Sequence, residues 1–149
     1  MTKVNVQQEM GLTMTFPDSQ DLLGLPQFWI ADTAASVHML PHKMGMYNWM
    51  EAKQAISMGN KSVERTSHVA DIKGTICNNN GIMVSRTKLT QVAHLPKMGF
   101  NLFSCTKMQK KGWKLSGDNK NIMLTKGQSK IVFDIPISTM NGQTAKPGR

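Results

Sequence analysis

The chain has 149 residues, enough for one domain with a sizeable core and too few for two of ordinary size. Its 40% hydrophobic and 18% charged content is that of a globular protein, and no apolar run approaches the ~18 residues of a bilayer span, so a soluble, intracellular protein is expected. The net charge of +9 is uneven: residues 1–60 hold three lysines against five acids, and residues 61–149 hold fifteen basic side chains against four acids.

That asymmetry points either to a polyanion such as nucleic acid or, more plainly, to a solvated lysine face. Cys77 and Cys105 are far apart and form no Cys-x-x-Cys pair, which fits free, buried thiols in a reducing compartment.

Residues 1–27 are polar and mixed and read as an N-terminal extension or linker. The apolar run Phe28-Trp29-Ile30-Ala31 then reads as a strand ending in Asp32-Thr33-Ala34-Ala35-Ser36. Such a motif puts one carboxylate at the mouth of a tight turn, and the small residues behind it admit a ligand or a second chain. The motif occurs once, whereas a carboxylate used as a general acid/base normally works with a second one. His38 and His42 are four apart, but Pro41 between them breaks any helix on which they could share a metal, so no metal or other cofactor is expected. Asp32, Ser36 and His38 do not suggest a hydrolase triad, because triad members meet by folding rather than by adjacency.

The stretch Pro41–Ser57, with three Met and two aromatics in no clean period, reads as a loop. Short apolar or alternating runs follow at Ile82–Val84, Leu89–Leu95, Asn121–Thr125 and Lys130–Ile137. Turn-rich clusters separate them at 78–81, 117–120 and 126–128. One helix is expected after Ser104 or Thr106 as N-cap, with Lys110 and Lys111 in its last turn and Gly112 as its stop. The pattern is an all-β domain over 28–137, closed or folded over itself, with one short helix. Residues 138–149 read as a C-terminal linker.

The segment from Trp29 to Met39 resembles the active-site stretch of copia-type retrotransposon aspartic proteases, W-x-x-D-[ST]-G-A-S-x-H-[ML]. A second match follows at the family's distance. Leu89-Thr90-Gln91-Val92-Ala93-His94-Leu95-Pro96 and then Phe100-Asn101-Leu102-Phe103-Ser104 resemble its L-x-x-V-L-x-V-P and N-L-[LF]-S elements. The resemblance spans roughly Trp29 to Asp134 and implies a retropepsin-like closed β-barrel or sandwich, active as a homodimer.

It further implies that Asp32 is the catalytic carboxylate, paired with its copy across a two-fold axis. Two carboxylates about 3 Å apart share one proton, so one can accept a proton from water while the other polarises the scissile carbonyl. By the same resemblance, Thr33 bonds across the dyad, Ala34, Ala35 and Ser36 complete the loop, and Asn101, Leu102, Phe103 and Ser104 brace it. His38 is implied to be a structural hydrogen-bonding residue. A flap is implied 25–30 residues beyond the aspartate, with Ile56 and Met58 on one arm, Gly59 and Asn60 at the turn, Val63 on the other arm, and Val69–Cys77 returning to the core.

The family mostly has Gly where this chain has Ala34; that Gly either supplies a backbone angle or clears a methyl from the dyad. The substrate implied is the chain's own Gag-Pol polyprotein, processed in the cytoplasm within virus-like particles, with no membrane contact. The alternative is a weak or inactive domain of the same fold that scaffolds or contacts nucleic acid weakly through Lys107, Lys110, Lys111 and Lys114. For the dimer interface the expected segments are Val4–Val6 or Met10–Phe16 at one end and Ile131–Ile137 at the other.

Overall fold

The computed structural model describes residues 9–16, 26–43, 45–57, 63–78, 80, 82–117 and 121–136. In chain order the elements are β1 (Met10–Thr15), β2 (Pro26–Asp32), β3 (Met39–Leu40), β4 (Met46–Ser57), β5 (Val63–Cys77), β6 (Met83–His94) and β7 (Asn101–Ser104). After them come α1 (Cys105–Lys110), β8 (Lys114–Gly117), β9 (Ile122–Lys126), β10 (Ser129–Phe133) and β11 (Ile135–Pro136). The protein is nearly all β, as the composition and turn spacing imply.

Six strands close a barrel in the order β1-β2-β7-β3-β6-β5, sealed where β1 meets β5 at Thr13↔Cys77, Met14↔Ile76 and Thr15↔Thr75. β4 extends the sheet outside β5, and β11 lies beside β1. β8, β9 and β10 form a separate three-stranded antiparallel sheet.

Alternation builds the core. Met10, Leu12, Met14 and Phe16 all point inward from β1 and are essentially inaccessible. Trp29 packs edge-on between Phe16 and Phe103, and Phe103 meets Phe133 of the second sheet in the same way. Ile122, Leu124, Ile131 and Phe133 of that sheet join the same cluster, so one core serves both sheets. A smaller cluster of Ile30, Ala35, Met39, Ile56, Ala93, Leu95 and Leu102 sits under the Asp32 loop.

Several expectations are corrected. Pro41–Ser57 is no loop: Met46–Ser57 is strand β4, whose alternation is broken by register shifts after Tyr47 and after Glu51 and by Asn48 at φ 55°. The runs Ile82–Val84 and Leu89–Leu95 belong to one strand, because the polar residues between them pair continuously with β5. β1 falls within residues 1–27 yet is a barrel strand, so the domain begins ahead of residue 28. Within the chain, Met10–Thr15 pairs with β2, β5 and β11. Val4–Val6 lies outside the described residues.

Candidate active site

β2 runs parallel to β7 with Trp29↔Asn101, Ile30↔Leu102, Ala31↔Phe103 and Asp32↔Ser104 in register. The two motifs singled out in the sequence, some seventy residues apart, therefore end side by side. Asp32 Oδ1 accepts from the backbone N–H groups of Ala34 and Ala35, both at 2.8 Å, an Asx-type turn that fixes the carboxylate at the strand end. Among the described residues Oδ2 has no protein partner, and Asp32 is half-buried while Thr33 and Ala34 are exposed.

The loop is held from the β7–α1 junction. Ser104 Oγ donates to the Ala35 carbonyl at 2.6 Å and accepts the Lys107 N–H at 2.9 Å, so one hydroxyl both braces the loop and caps the helix. Thr106 Oγ1 donates to the Thr33 carbonyl at 2.8 Å. The Ser104 N–H in turn donates to His38 Nδ1 at 2.9 Å. His38 is fully buried, with Phe103 edge-on at 4.8 Å. Burial first, then the nearby Lys107 and Lys111 charges, hold its pKa well below the usual histidine value. A neutral ring whose Nδ1 accepts must carry its proton on Nε2. His38 and His42 part company here, since His42 is exposed.

Asn101, Leu102, Phe103 and Ser104 are all buried and, together with the helix they feed, they position the loop. The expected N-cap and the Gly112 stop are both present, the latter at φ 98°. Ala35 is buried in the smaller core cluster, and Ser36 is half-buried. Ala34 needs no glycine-like backbone, because Asn48 and Gln91 are the non-glycine residues with positive φ among those described. The Cys105 thiol, buried and close enough to Asp32 to feel its charge, is pushed up to about 12 by burial first and by that carboxylate second. It is therefore no nucleophile at ordinary pH.

The flap residues Met58, Gly59 and Asn60 lie outside the described residues. β4 and β5 pair as far as Ser57↔Val63, so the two arms of a hairpin lead up to them. Ile56 is fully buried in the cluster containing Ala35, beneath the loop rather than on an open face, whereas Val63 is exposed.

Of the four lysines considered for phosphate contacts, two are engaged within the chain. Lys107 Nζ donates to the Thr90 and Gln91 carbonyls, and Lys111 Nζ donates to Thr90 Oγ1. Burial first, then Lys111, lower the Lys107 pKa to about 8. Lys110 and Lys114 are exposed.

Two features escaped the sequence reading. Thr106, weighed only as a helix cap, bonds the Asp32 loop. Asp71 bridges two bulged strands, accepting from Asn48 Nδ2 at 3.0 Å and from the Gln91 N–H at 3.2 Å. No local motif marks Asp71, because its partners lie 20 or more residues away.

No curated protein matches the chain. Residues 29–113, however, match the family described as Pol polyprotein, beta-barrel domain, a stretch that starts in β2 and ends just past the α1 stop, taking in the Asp32 loop and every residue that braces it. The match covers more than half of the sequence, and the chain belongs to that family of Pol polyprotein beta-barrel domains.

Proposed function

We propose that the chain is one half of a copia-type retropepsin, an aspartic endopeptidase whose site is completed by a second copy and whose substrates are peptide segments of its own Gag-Pol polyprotein. The observation that carries this reading is the Asp32 loop. A carboxylate sits at a strand end with one oxygen fixed by two backbone N–H groups and the other without a protein partner among the described residues, beside exposed small residues. In this reading the lone carboxylate is half of an acid/base pair. Two of them across a two-fold axis share a proton; the ionised member takes a proton from water as the water attacks, and the neutral member hydrogen-bonds the scissile carbonyl. Each chain contributes Asp32, Thr33 would bond across the axis, and the β4–β5 arm would cover the peptide. No cofactor is needed, and processing would take place in particles where the polyprotein is crowded.

The test is cleavage of a fusion carrying the chain's own flanking segments, across pH 4–7 and rising protein concentration. Asp32→Asn keeps an acceptor for the Ala34 and Ala35 N–H groups, so it should unfold at the wild-type temperature and cleave nothing. Mixing it in equal amount with wild type should leave about one quarter of the activity, the share of pairs holding two carboxylates under random pairing. Cleavage by Asp32→Asn alone would end the proposal, and one half of the activity in the mixture would rule out a shared site.

A further inference from the structure

β6 and β10 face each other across a cleft of about 760 Å³. Residues 84–89 form one wall and residues 128–132 the other. Neighbouring residues in a strand point to opposite faces, so a wall built from an unbroken run is the edge of a strand and not its face. The pairings agree. β6 gives one edge to β5 and, on the other, meets β3 only at Ala93 and His94. β10 pairs with β9 and ends its sheet. Lys107 Nζ holds the Thr90 and Gln91 carbonyls and Lys111 Nζ holds the Thr90 hydroxyl, and the cleft begins where these bonds stop.

The chemistry of the cleft is one-sided. Arg86, Lys88, Lys111 and Lys130 line it against one acid, Asp134. His38 also lines it, and its protonated Nε2, in a side chain with no exposed surface, has no hydrogen-bond partner. Basic residues alone would be ordinary blunting of exposed edges. Ile82, just ahead of the same strand, and Met83 and Val84 at its start are each more than half exposed, which is what such blunting avoids.

We propose that this cleft binds an extended acidic peptide from another polypeptide as an added strand, joining the barrel sheet to the three-stranded sheet. The backbone of the guest would satisfy both edges, its acidic side chains would meet the basic rim, and the His38 Nε2–H would donate to one guest oxygen. Asp32 is not among the lining residues, so the inference stands apart from the protease reading.

The probe is a capped synthetic peptide of alternating glutamate and valine, about six residues long to match the 84–89 wall at ~3.3 Å per residue. Titrated into the full chain, it should slow amide exchange along residues 84–89 and 129–132 together. Arg86→Glu with Lys130→Glu, both at exposed positions, should weaken binding roughly tenfold, the sum of a few exposed ion pairs. N-methylation of alternate peptide amides, which leaves the protein untouched, should abolish it. The proposal is overturned by equal binding of a lysine–valine peptide, by N-methylated peptide binding as well as the parent, or by the charge reversal having no effect. It is overturned too if the β6 edge is already protected in the free chain, if protection rises with protein concentration alone, or if a short single-stranded oligonucleotide displaces the peptide from the same amides.

Discussion

Ser104→Ala is the sharpest probe of how the Asp32 loop is held. The side chain is fully buried and makes two hydrogen bonds, to the Ala35 carbonyl and from the Lys107 N–H. Losing a serine N-cap costs about 1 kcal/mol. Leaving the Ala35 carbonyl without its donor at a buried residue costs about 1–3 kcal/mol more. Together these remove roughly 2–4 kcal/mol from a total that for ordinary domains is about 5–15. At about 2–4 °C per kcal/mol for a domain of this size, Tm should fall by roughly 5–15 °C. Urea unfolding with an unchanged m-value would show that stability moved and not the two-state character. Thr106→Ala is the internal control, because it removes a more exposed bond to the same loop and should cost no more than about 1 kcal/mol. If Ser104→Ala stays within about 0.5 kcal/mol of wild type, or equals Thr106→Ala, the junction does not brace the loop as argued.

Three further outcomes are expected. The folded chain keeps His38 neutral, so stability is full above about pH 6.5 and falls as pH drops through 6.5 toward the lowered folded value, at up to about 1.4 kcal/mol per pH unit. His94, lowered in the same direction chiefly by burial, adds to the fall; urea titrations should show a shallower slope for His38→Asn between pH 6.5 and 5, and an unchanged slope would remove His38 as its source. Gly11→Ala should cost about 1–3 kcal/mol, since the new methyl would collide with the Trp29 carbonyl of the neighbouring strand as well as the Phe28 ring; unaltered thermal unfolding would contradict that packing. Cys105 and Cys77 are both buried, and the native chain should resist alkylation at pH 8 and react at two thiols once unfolded; rapid native labelling of Cys105 would refute its environment.

What could be read in advance follows from how local each device is. The Asp32 turn, the Ser104 cap and the Gly112 stop are set by residues within four positions of one another, and all three are present. The turn at Gly127, at φ 60°, is equally local. β4 was illegible because it is the outermost strand, exposed at most positions, and twice out of register, so no burial period is written into it. β6 reads as two runs because residues 85–88 are polar, with Arg86 and Lys88 exposed and Ser85 and Thr87 only partly buried, and its continuity comes from β5. β1 is the reverse case. The alternation Met10, Leu12, Met14, Phe16 is plain in the sequence, but the polar residues flanking it mask a strand that closes the barrel. The family resemblance implied only that His38 is a structural hydrogen-bonding residue; its burial and its Ser104 N–H donor, 66 residues away, have no local signature.

The two halves of the proposed site are held by different contacts, visible in single residues. The carboxylate side cannot shift without disturbing a helix cap, because Ser104 Oγ serves the loop and the helix at once. The β4 arm is bound differently. Beyond Glu51 its one strand neighbour is β5, and at its base Asn48 and Gln91 hold left-handed backbone angles that cost about 1–3 kcal/mol each unless the surroundings enforce them. The Asp71 carboxylate does the enforcing. Burial alone would raise its pKa; the Asn48 and Gln91 hydrogen bonds, with Lys88 and Lys107 nearby, outweigh that and lower it, so the clamp stays ionised through neutral pH. Trp49, stacked on His68 at 4.7 Å, pins the arm just beyond the clamp. The arm is held beyond its root as well, by Ile56 buried in the same cluster as Ala35 and by Thr66 Oγ1 donating to the His94 carbonyl, so in the proposed reading the loop and the arm share an apolar cluster as well as polar contacts between strands.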